Sequence, residues 1–252
     1  MFELLKVRKK HGYQAVPNLR TAEPSAPFRG FPLIDESKCA DGAQEAAAVC
    51  PTGALSLTPL RIDMGQCTFC GQCARQCPQG IQFSTAHRLA STDRTKLVIA
   101  GGQNADDFAK EAVTARREIK RLFGRSLRFR QVSAGGCNGC EYELNACNNV
   151  NFDMGRLGID FVASPRHADG LMVTGPITGN MAPALLDAWH SLAEPKVLIL
   201  VGACAISGGL FAESKQLDRS GLATLPVDLF IPGCPPHPLT IINALLDFLG
   251  KR

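Results

Sequence analysis

One local pattern constrains this chain more than any other: an apolar run of strand length, then glycine, then cysteine. LRFRQVS (127–133) leads into GGCNGCEYEL with Cys137 and Cys140, KVLILVG (196–202) into Cys204, and VDLFIPG (227–233) into Cys234. Two further runs, IDFVAS (159–164) and LMVTG (171–175), have the same character. None alternates strictly between apolar and polar residues, so each reads as a strand covered on both faces. The stretches between them read as helices or long loops, including MAPALLDAWHSL, and LTIINALLDFLG closes the chain as a helix. Five such strands with crossovers fit an α/β fold, a flavodoxin-like, doubly wound parallel sheet. Its strand ends lie side by side, so Cys137, Cys140, Cys204 and Cys234 are expected to converge as four thiolates, a ligand set for an iron–sulfur cluster.

A second cysteine group lies upstream. Cys67, Cys70, Cys73 and Cys77-Pro78 make a complete C-x2-C-x2-C-x3-C-P run, the bacterial ferredoxin spacing. Tight spacing wraps main-chain N–H groups around the inorganic sulfides and lowers the cost of their negative charge. In two-cluster ferredoxins the fourth cysteine of each run serves the other cluster. The run therefore needs a fourth ligand from elsewhere, and Cys50-Pro51 looks like the tail of a first run. The expected set is Cys50, Cys67, Cys70 and Cys73. Of the other cluster's ligands only Cys39 and Cys77 are present. Asp41 and Glu45 are nearby carboxylates, but neither falls at the usual offset. Cys39 and Cys77 are thus candidate thiols of a vacant site or of a second cluster in this unit. A reducing compartment disfavours their pairing as a disulfide. Two 4Fe–4S clusters are expected and a third is not. Zinc, which C-x-x-C also suits, is the weaker reading.

Eleven cysteines, an odd number, at C-x-x-C spacings argue for thiolate ligands rather than a disulfide framework. A net charge of +4 is too small to suggest nucleic acid as a partner. No apolar run approaches a spanning length, and no secretion signal is visible in MFELLKVRKKHG. Residues 1–30 read as an N-terminal arm, extended or docked on a partner. Residues 31–91 read as a ferredoxin-like α+β domain, 92–125 as a linker helix and 126–252 as the cysteine-bearing α/β domain. The linker has the clearest helical pattern, over 104–123. Asn104 is its N-cap, Phe108, Ala112, Ala115, Ile119 and Leu122 form its stripe, and Gly124 its stop. The basic run Arg116–Arg130 holds seven positive charges and one negative. It reads as a solvated face, or as one meeting an acidic partner or anionic lipid.

Residues 125–252 resemble the small subunit of membrane-bound nickel–iron hydrogenases and the homologous 20-kDa-type subunit of complex I. The resemblance rests on GGCNGCEYEL, SPRHADGLMVTGPIT, VGACAISGGLF and VDLFIPGCPPHPLTIINALL, in that order. The upstream stretch resembles the separate ferredoxin-like subunit of formate hydrogenlyase and hydrogenase-4 complexes, so the chain looks like a fusion of two neighbouring subunits. C-x-x-C at 137–140, where the complex I subunit has adjacent cysteines, favours the hydrogenase branch. The resemblance implies that Cys137, Cys140, Cys204 and Cys234 hold the proximal cluster. The catalytic nickel would lie in a separate large subunit, nickel-bearing or a nickel-free homologue. Further implied partners are integral membrane subunits and a soluble electron donor or formate dehydrogenase. The implied location is peripheral, on the cytoplasmic side of the inner membrane, and the implied role is electron transfer within an oxidoreductase complex. A complex I-like relative is the alternative, and a stand-alone carrier or redox sensor is an alternative of another class.

Several residues near the thiols stay open. Glu141 and Glu143 read as capping or solvated carboxylates, or as a proton relay. Arg166 and His167 read as a loop end, or as groups facing the cluster. Gly202, Gly208 and Gly209 are expected to bring N–H groups toward sulfur. Pro235 is a candidate for a cis bond. Cys147 reads as a buried structural cysteine and His237 as a surface residue.

Overall fold

The computed structural model describes residues 2–39, 42–114, 117–124 and 126–251. Asp41, Ala115 and Arg116, named above, lie outside the described residues. The N-terminal segment begins as helix α1 (Phe2–His11), which buries no side chain. It then becomes a strap laid on its own chain. The Val16 N–H donates to the Asn151 carbonyl at 2.8 Å. Arg20 donates to Asp247 Oδ1 at 2.7 Å and to the Lys251 carbonyl, and the Asn243 amide donates to the Leu19 carbonyl.

The upstream unit contains β1 (Pro32–Ile34), α2 (Ala43–Ala48), β2 (Leu55–Leu57), β3 (Leu60–Asp63), α3 (Gln72–Gln76) and β4 (Ile81–Phe83). β1 and β4 pair antiparallel with Ile34 opposite Ile81, and β2 pairs antiparallel with β3. β5 (Val98–Ala100), within the segment read as a linker, adds a third antiparallel strand beside β3.

The long helix expected over 104–123 is two short ones, α4 (Ala105–Glu111) and α5 (Arg117–Phe123). Asn104 caps α4 as expected, its side chain accepting from the Asp107 N–H. The break has a tertiary cause. The Ala112 carbonyl, which a continuing helix would use, accepts from the Thr92 N–H and the Ser91 hydroxyl. The Thr114 N–H turns to Thr92 Oγ1.

The downstream unit follows the sequence reading closely. It runs β6 (Leu127–Ser133), α6 (Gly139–Ala146), β7 (Ile159–Phe161), β8 (Gly170–Thr174), α7 (Ala182–His190) and β9 (Val197–Val201). It closes with α8 (Ala203–Ser207), α9 (Ser220–Ala223), β10 (Leu229–Ile231) and α10 (Pro238–Leu249). All five strands are parallel, in the order β7-β6-β8-β9-β10. The order reverses between β6 and β8, the topological switch point of a flavodoxin-like sheet.

Alternate residues of each central strand feed different cores. Met172, Val197, Ile199 and Val201 pack with α10 and Leu144 of α6. Leu171, Val173, Leu198 and Leu200 pack with Leu185 and Trp189 of α7 and with Ile206 of α8. That second core is continuous with the upstream unit, including Phe31, Ile62, Ile81 and Ile99. Main-chain bonds in both directions between Ser91 and Phe230 also tie the upstream unit to edge strand β10. The two cysteine-bearing units therefore share one packed interior, which resists relative movement.

Candidate functional site

Each downstream cysteine sits just past the C-terminal end of a strand. Cys137 and Cys140 follow β6, with Asn138 between them in the left-handed region at φ 66. Cys204 lies in α8 after β9, and Cys234 follows β10 and is itself followed by a cis Cys234–Pro235 bond. The four thiols feel one another. Burial pushes the Cys140 thiol up, with Glu141, Cys204, Cys234 and Cys137 adding to the shift. Burial pushes Cys204 up to about 11, reinforced by Cys234 and Cys137 and opposed by Arg219. Gathered thiols that resist ionising in isolation are relieved when a cationic metal centre takes up their charge.

Close approach is built into this site. Gly202 has φ +88, and a Cβ there would lie 2.5 Å from Cys140 Sγ. The glycine N–H groups do not reach sulfur as expected, because the fold has used them. Gly202 donates to the Ile231 carbonyl and Gly208 to the Cys204 carbonyl, while Gly209 donates to the Ser207 hydroxyl. Their contribution is the space they leave.

The upstream thiols also converge. Burial pushes Cys67 up to about 12, with Cys73, Cys50 and Cys70 adding, while the Phe69 N–H opposes the shift. Here N–H groups do point at sulfur. Phe69 donates to Cys67 Sγ and Ala54 to Cys50 Sγ, both at 3.2 Å. The loop is braced by Asp63, which takes a bidentate pair from Arg94 and accepts from the Gly65 N–H. Arg29 Nε donates to the Phe69 carbonyl at 2.6 Å.

In both groups four gathered thiols fit an iron–sulfur cluster, with glycine leaving room at the downstream set and main-chain N–H groups directed at sulfur in the upstream one. Among the described residues, no three His, Cys, Asp or Glu side chains close on a single ion position. A cluster spreads its thiolates farther apart than one zinc ion does.

Of the outcomes left open for Cys39 and Cys77, the structure has them joined to each other, with Cα atoms 5.7 Å apart. Gly80 lets the backbone close on them. A Cβ there would lie 2.6 Å from Cys39 Cβ and 2.8 Å from Cys77 Sγ. Glu45 is exposed.

The remaining candidates separate. Glu141 Oε1 accepts from the Ser133 and Thr174 hydroxyls, both at 2.6 Å, which ties α6 to the ends of β6 and β8. Glu143 is raised by burial and lies beside Cys147, which is fully buried with Sγ toward the Pro238 carbonyl. Arg166 and His167 are exposed on the turn after β7. His237 is not a surface residue. Its Nδ1 accepts from the Leu239 N–H as the cap of α10, and its ring meets Phe28 and Phe152 edge-on.

Sequence reasoning missed Arg219. Its guanidinium donates to the carbonyls of Pro176, Cys204, Ala205 and Ile206 at 2.8–3.1 Å. It thereby satisfies the C-terminal carbonyls of α8 and places its charge beside Cys204. Main-chain acceptors leave no pattern in the sequence, so no signal there marked it.

Thiols gathered at the strand ends of a flavodoxin-ordered sheet, fused through a shared core to a ferredoxin-like unit, define the class: an iron–sulfur electron-transfer subunit. Residues 137–248 match the family of the NADH ubiquinone oxidoreductase 20 Kd subunit, and residues 60–82 match the 4Fe-4S binding domain. A probable membrane-bound hydrogenase subunit of Pyrococcus furiosus is 37% identical over 53% of this chain and 80% of its own length. Formate hydrogenlyase subunit 7 of Escherichia coli is 44% identical over 50% of this chain and 49% of its own length. An NADH-quinone oxidoreductase subunit of Leptospira biflexa is 45% identical over 47% of this chain and 62% of its own length. The chain belongs to the 20 Kd-subunit family shared by membrane-bound hydrogenases and complex I, and it carries an additional 4Fe-4S domain upstream. Among the described residues no helix is long and apolar enough to cross a membrane.

Proposed function

We propose that this chain is the electron-relay subunit of a membrane-associated, energy-converting nickel–iron hydrogenase complex. One 4Fe–4S cluster held by Cys50, Cys67, Cys70 and Cys73 and another held by Cys137, Cys140, Cys204 and Cys234 would supply one-electron transfer to and from a large subunit. The observation that carries this reading is the meeting of the two thiol groups. Cys70 and Cys234 line the same cavity, and Cys70 is close enough to add to the upward shift that burial and Cys137 impose on the Cys234 thiol. The residues of the chain do the remaining work. The shared core holds the spacing, Arg219 and Gly202 shape the downstream set, and the Phe69 and Ala54 N–H groups stabilise charge on upstream sulfur.

The open side suits a large subunit. Cys137 and Cys234 are exposed, and Tyr142, Leu210 and Phe211 present exposed apolar surface close by in sequence. Integral membrane subunits would complete the complex, placing this chain peripherally on the cytoplasmic side of the inner membrane. Cys39 and Cys77 mark a site that holds no cluster.

A second reading, a complex I-like or nickel-free relative, is favoured by the family to which residues 137–248 belong. Purification of the native complex with nickel analysis separates the two. Stoichiometric nickel supports the hydrogenase, and iron–sulfur without nickel supports the relative. A chain that purifies alone and active refutes both in favour of a stand-alone carrier.

A further inference from the structure

The joined pair Cys39–Cys77 stands against the upstream ligand set. Cys77 ends α3, and its N–H donates to the Cys73 carbonyl at 2.9 Å. Residues four apart on a helical turn are neighbours, so the pair lies one turn from a cluster ligand. The same corner leads to Cys50. Gly42 is the N-cap of α2, and a Cβ there would lie 3.1 Å from the Gln76 carbonyl oxygen and 3.6 Å from Cys77 Cβ. Cys50 follows shortly after the end of α2.

Access decides how such a pair can be reduced. Exchange with a soluble thiol needs a thiolate to reach a sulfur from outside. Cys39 is 1% exposed and Cys77 5%, and Gly80 lies flush against both. An attacking thiol has no path, whereas an electron needs only proximity. The group that delivers electrons singly is the cluster proposed for Cys50, Cys67, Cys70 and Cys73. The reduced pair also finds a partner already in place. The Lys38 carbonyl lies 3.8 Å from Cys77 Sγ, where an S–H can donate to it. Residues 36–38, just before Cys39, are exposed, so solvent protons are close.

We infer that Cys39–Cys77 is a redox-active centre that takes two electrons from the upstream cluster and two protons from solvent. The electrons arrive one at a time, the S–S bond breaks, and two thiols are left. Reoxidation returns both electrons to the relay and both protons to solvent. The chain then carries a two-electron store beside a one-electron wire. This inference rests on the reading that the upstream thiols hold a cluster, and it gives a role to the two cysteines of that unit which the cluster leaves unused.

Counting electrons tests this. The full chain is purified anaerobically with both clusters and without added thiols. It is titrated with reduced viologen, and the cluster EPR signals are integrated on the same samples. Acid-quenched aliquots are denatured and alkylated, and the peptides holding Cys39 and Cys77 are identified by mass. The expected uptake is about four electrons per chain, one for each cluster and two for the pair. The Cys39→Ser/Cys77→Ser double variant should take up about two, with both EPR signals kept. In wild type the two peptides should be unlabelled before the titration and labelled together after it. Excess dithiothreitol, given to the native chain in place of viologen over the same time, should leave them unlabelled. Wild-type uptake of about two electrons with both signals present overturns the sulfur pair, as does labelling before any reductant is added. Labelling by dithiothreitol overturns the route through the cluster. An absent upstream EPR signal overturns the cluster reading itself.

Discussion

Replacing Gly202 with alanine should remove the downstream cluster and leave the upstream one. The magnitude follows from two separable effects. Gly202 has φ +88, where a side chain costs about 1–2 kcal/mol. A Cβ there would also stand 2.5 Å from Cys140 Sγ, against the 3.4 Å at which ordinary contact begins. The sulfur must therefore retreat by about 0.9 Å, while ligand positions tolerate about 0.2 Å. Gly102 isolates the first effect, because it has φ +81 and a Cβ added there would meet nothing within 4 Å. Gly102→Ala should lower stability by about 1–2 kcal/mol in chemical denaturation and keep its iron. Gly202→Ala should fall from about eight iron atoms per chain to about four, with the EPR signal of the upstream cluster intact. Iron and acid-labile sulfide are measured on both variants. A Gly202→Ala chain that keeps its full iron and both signals would falsify the placement of Cys140 against that backbone.

Other outcomes follow from the same geometry. Burial lowers His87 to about 4, with His237 and Arg88 contributing and Asn243 Nδ2 beside its Nε2. The folded value lies below the ordinary 6.5, so the unfolded chain takes up the proton first and stability falls as pH drops from 6.5 toward about 4. At about 1.4 kcal/mol per tenfold change in proton affinity, the loss is at most about 3.5 kcal/mol. Denaturation across that range should show a flatter acid limb for His87→Gln, and an unchanged limb would refute the assignment. Replacing both Cys39 and Cys77 with serine should leave iron unchanged, and loss of about four atoms would place a cluster there. Arg219→Gln frees four carbonyls around Cys204. Iron analysis should show loss confined to the downstream site, and loss from both sites would contradict a local role.

The strands were legible because each is an apolar run bounded by glycine, and all five fall where the runs predict them. The downstream thiols were legible for the same reason, since a parallel sheet brings its strand ends together whatever lies between them, and the upstream ones from their ferredoxin spacing. What escaped depends on partners far away in the chain. Helix 104–123 breaks because Ser91 and Thr92 take the Ala112 carbonyl, about twenty residues back. The strap holds because Arg20 finds Asp247, and neither residue announces the other. Gly202 was expected to help bring N–H groups toward sulfur. Its N–H instead closes the β9–β10 end on Ile231, leaving only its lack of a side chain for the site. Arg219 works on main-chain oxygens and His237 on one main-chain N–H, contacts that no residue pattern encodes.

The central claim is that eight cysteines of this chain, Cys50, Cys67, Cys70, Cys73, Cys137, Cys140, Cys204 and Cys234, hold two clusters and no more. Iron and acid-labile sulfide per chain, measured on anaerobically purified protein, test it most directly. The account predicts about eight of each, in two EPR-active centres. About four would mean that one thiol group binds nothing, and about twelve would return Cys39 and Cys77 to the ligand set; either result contradicts it.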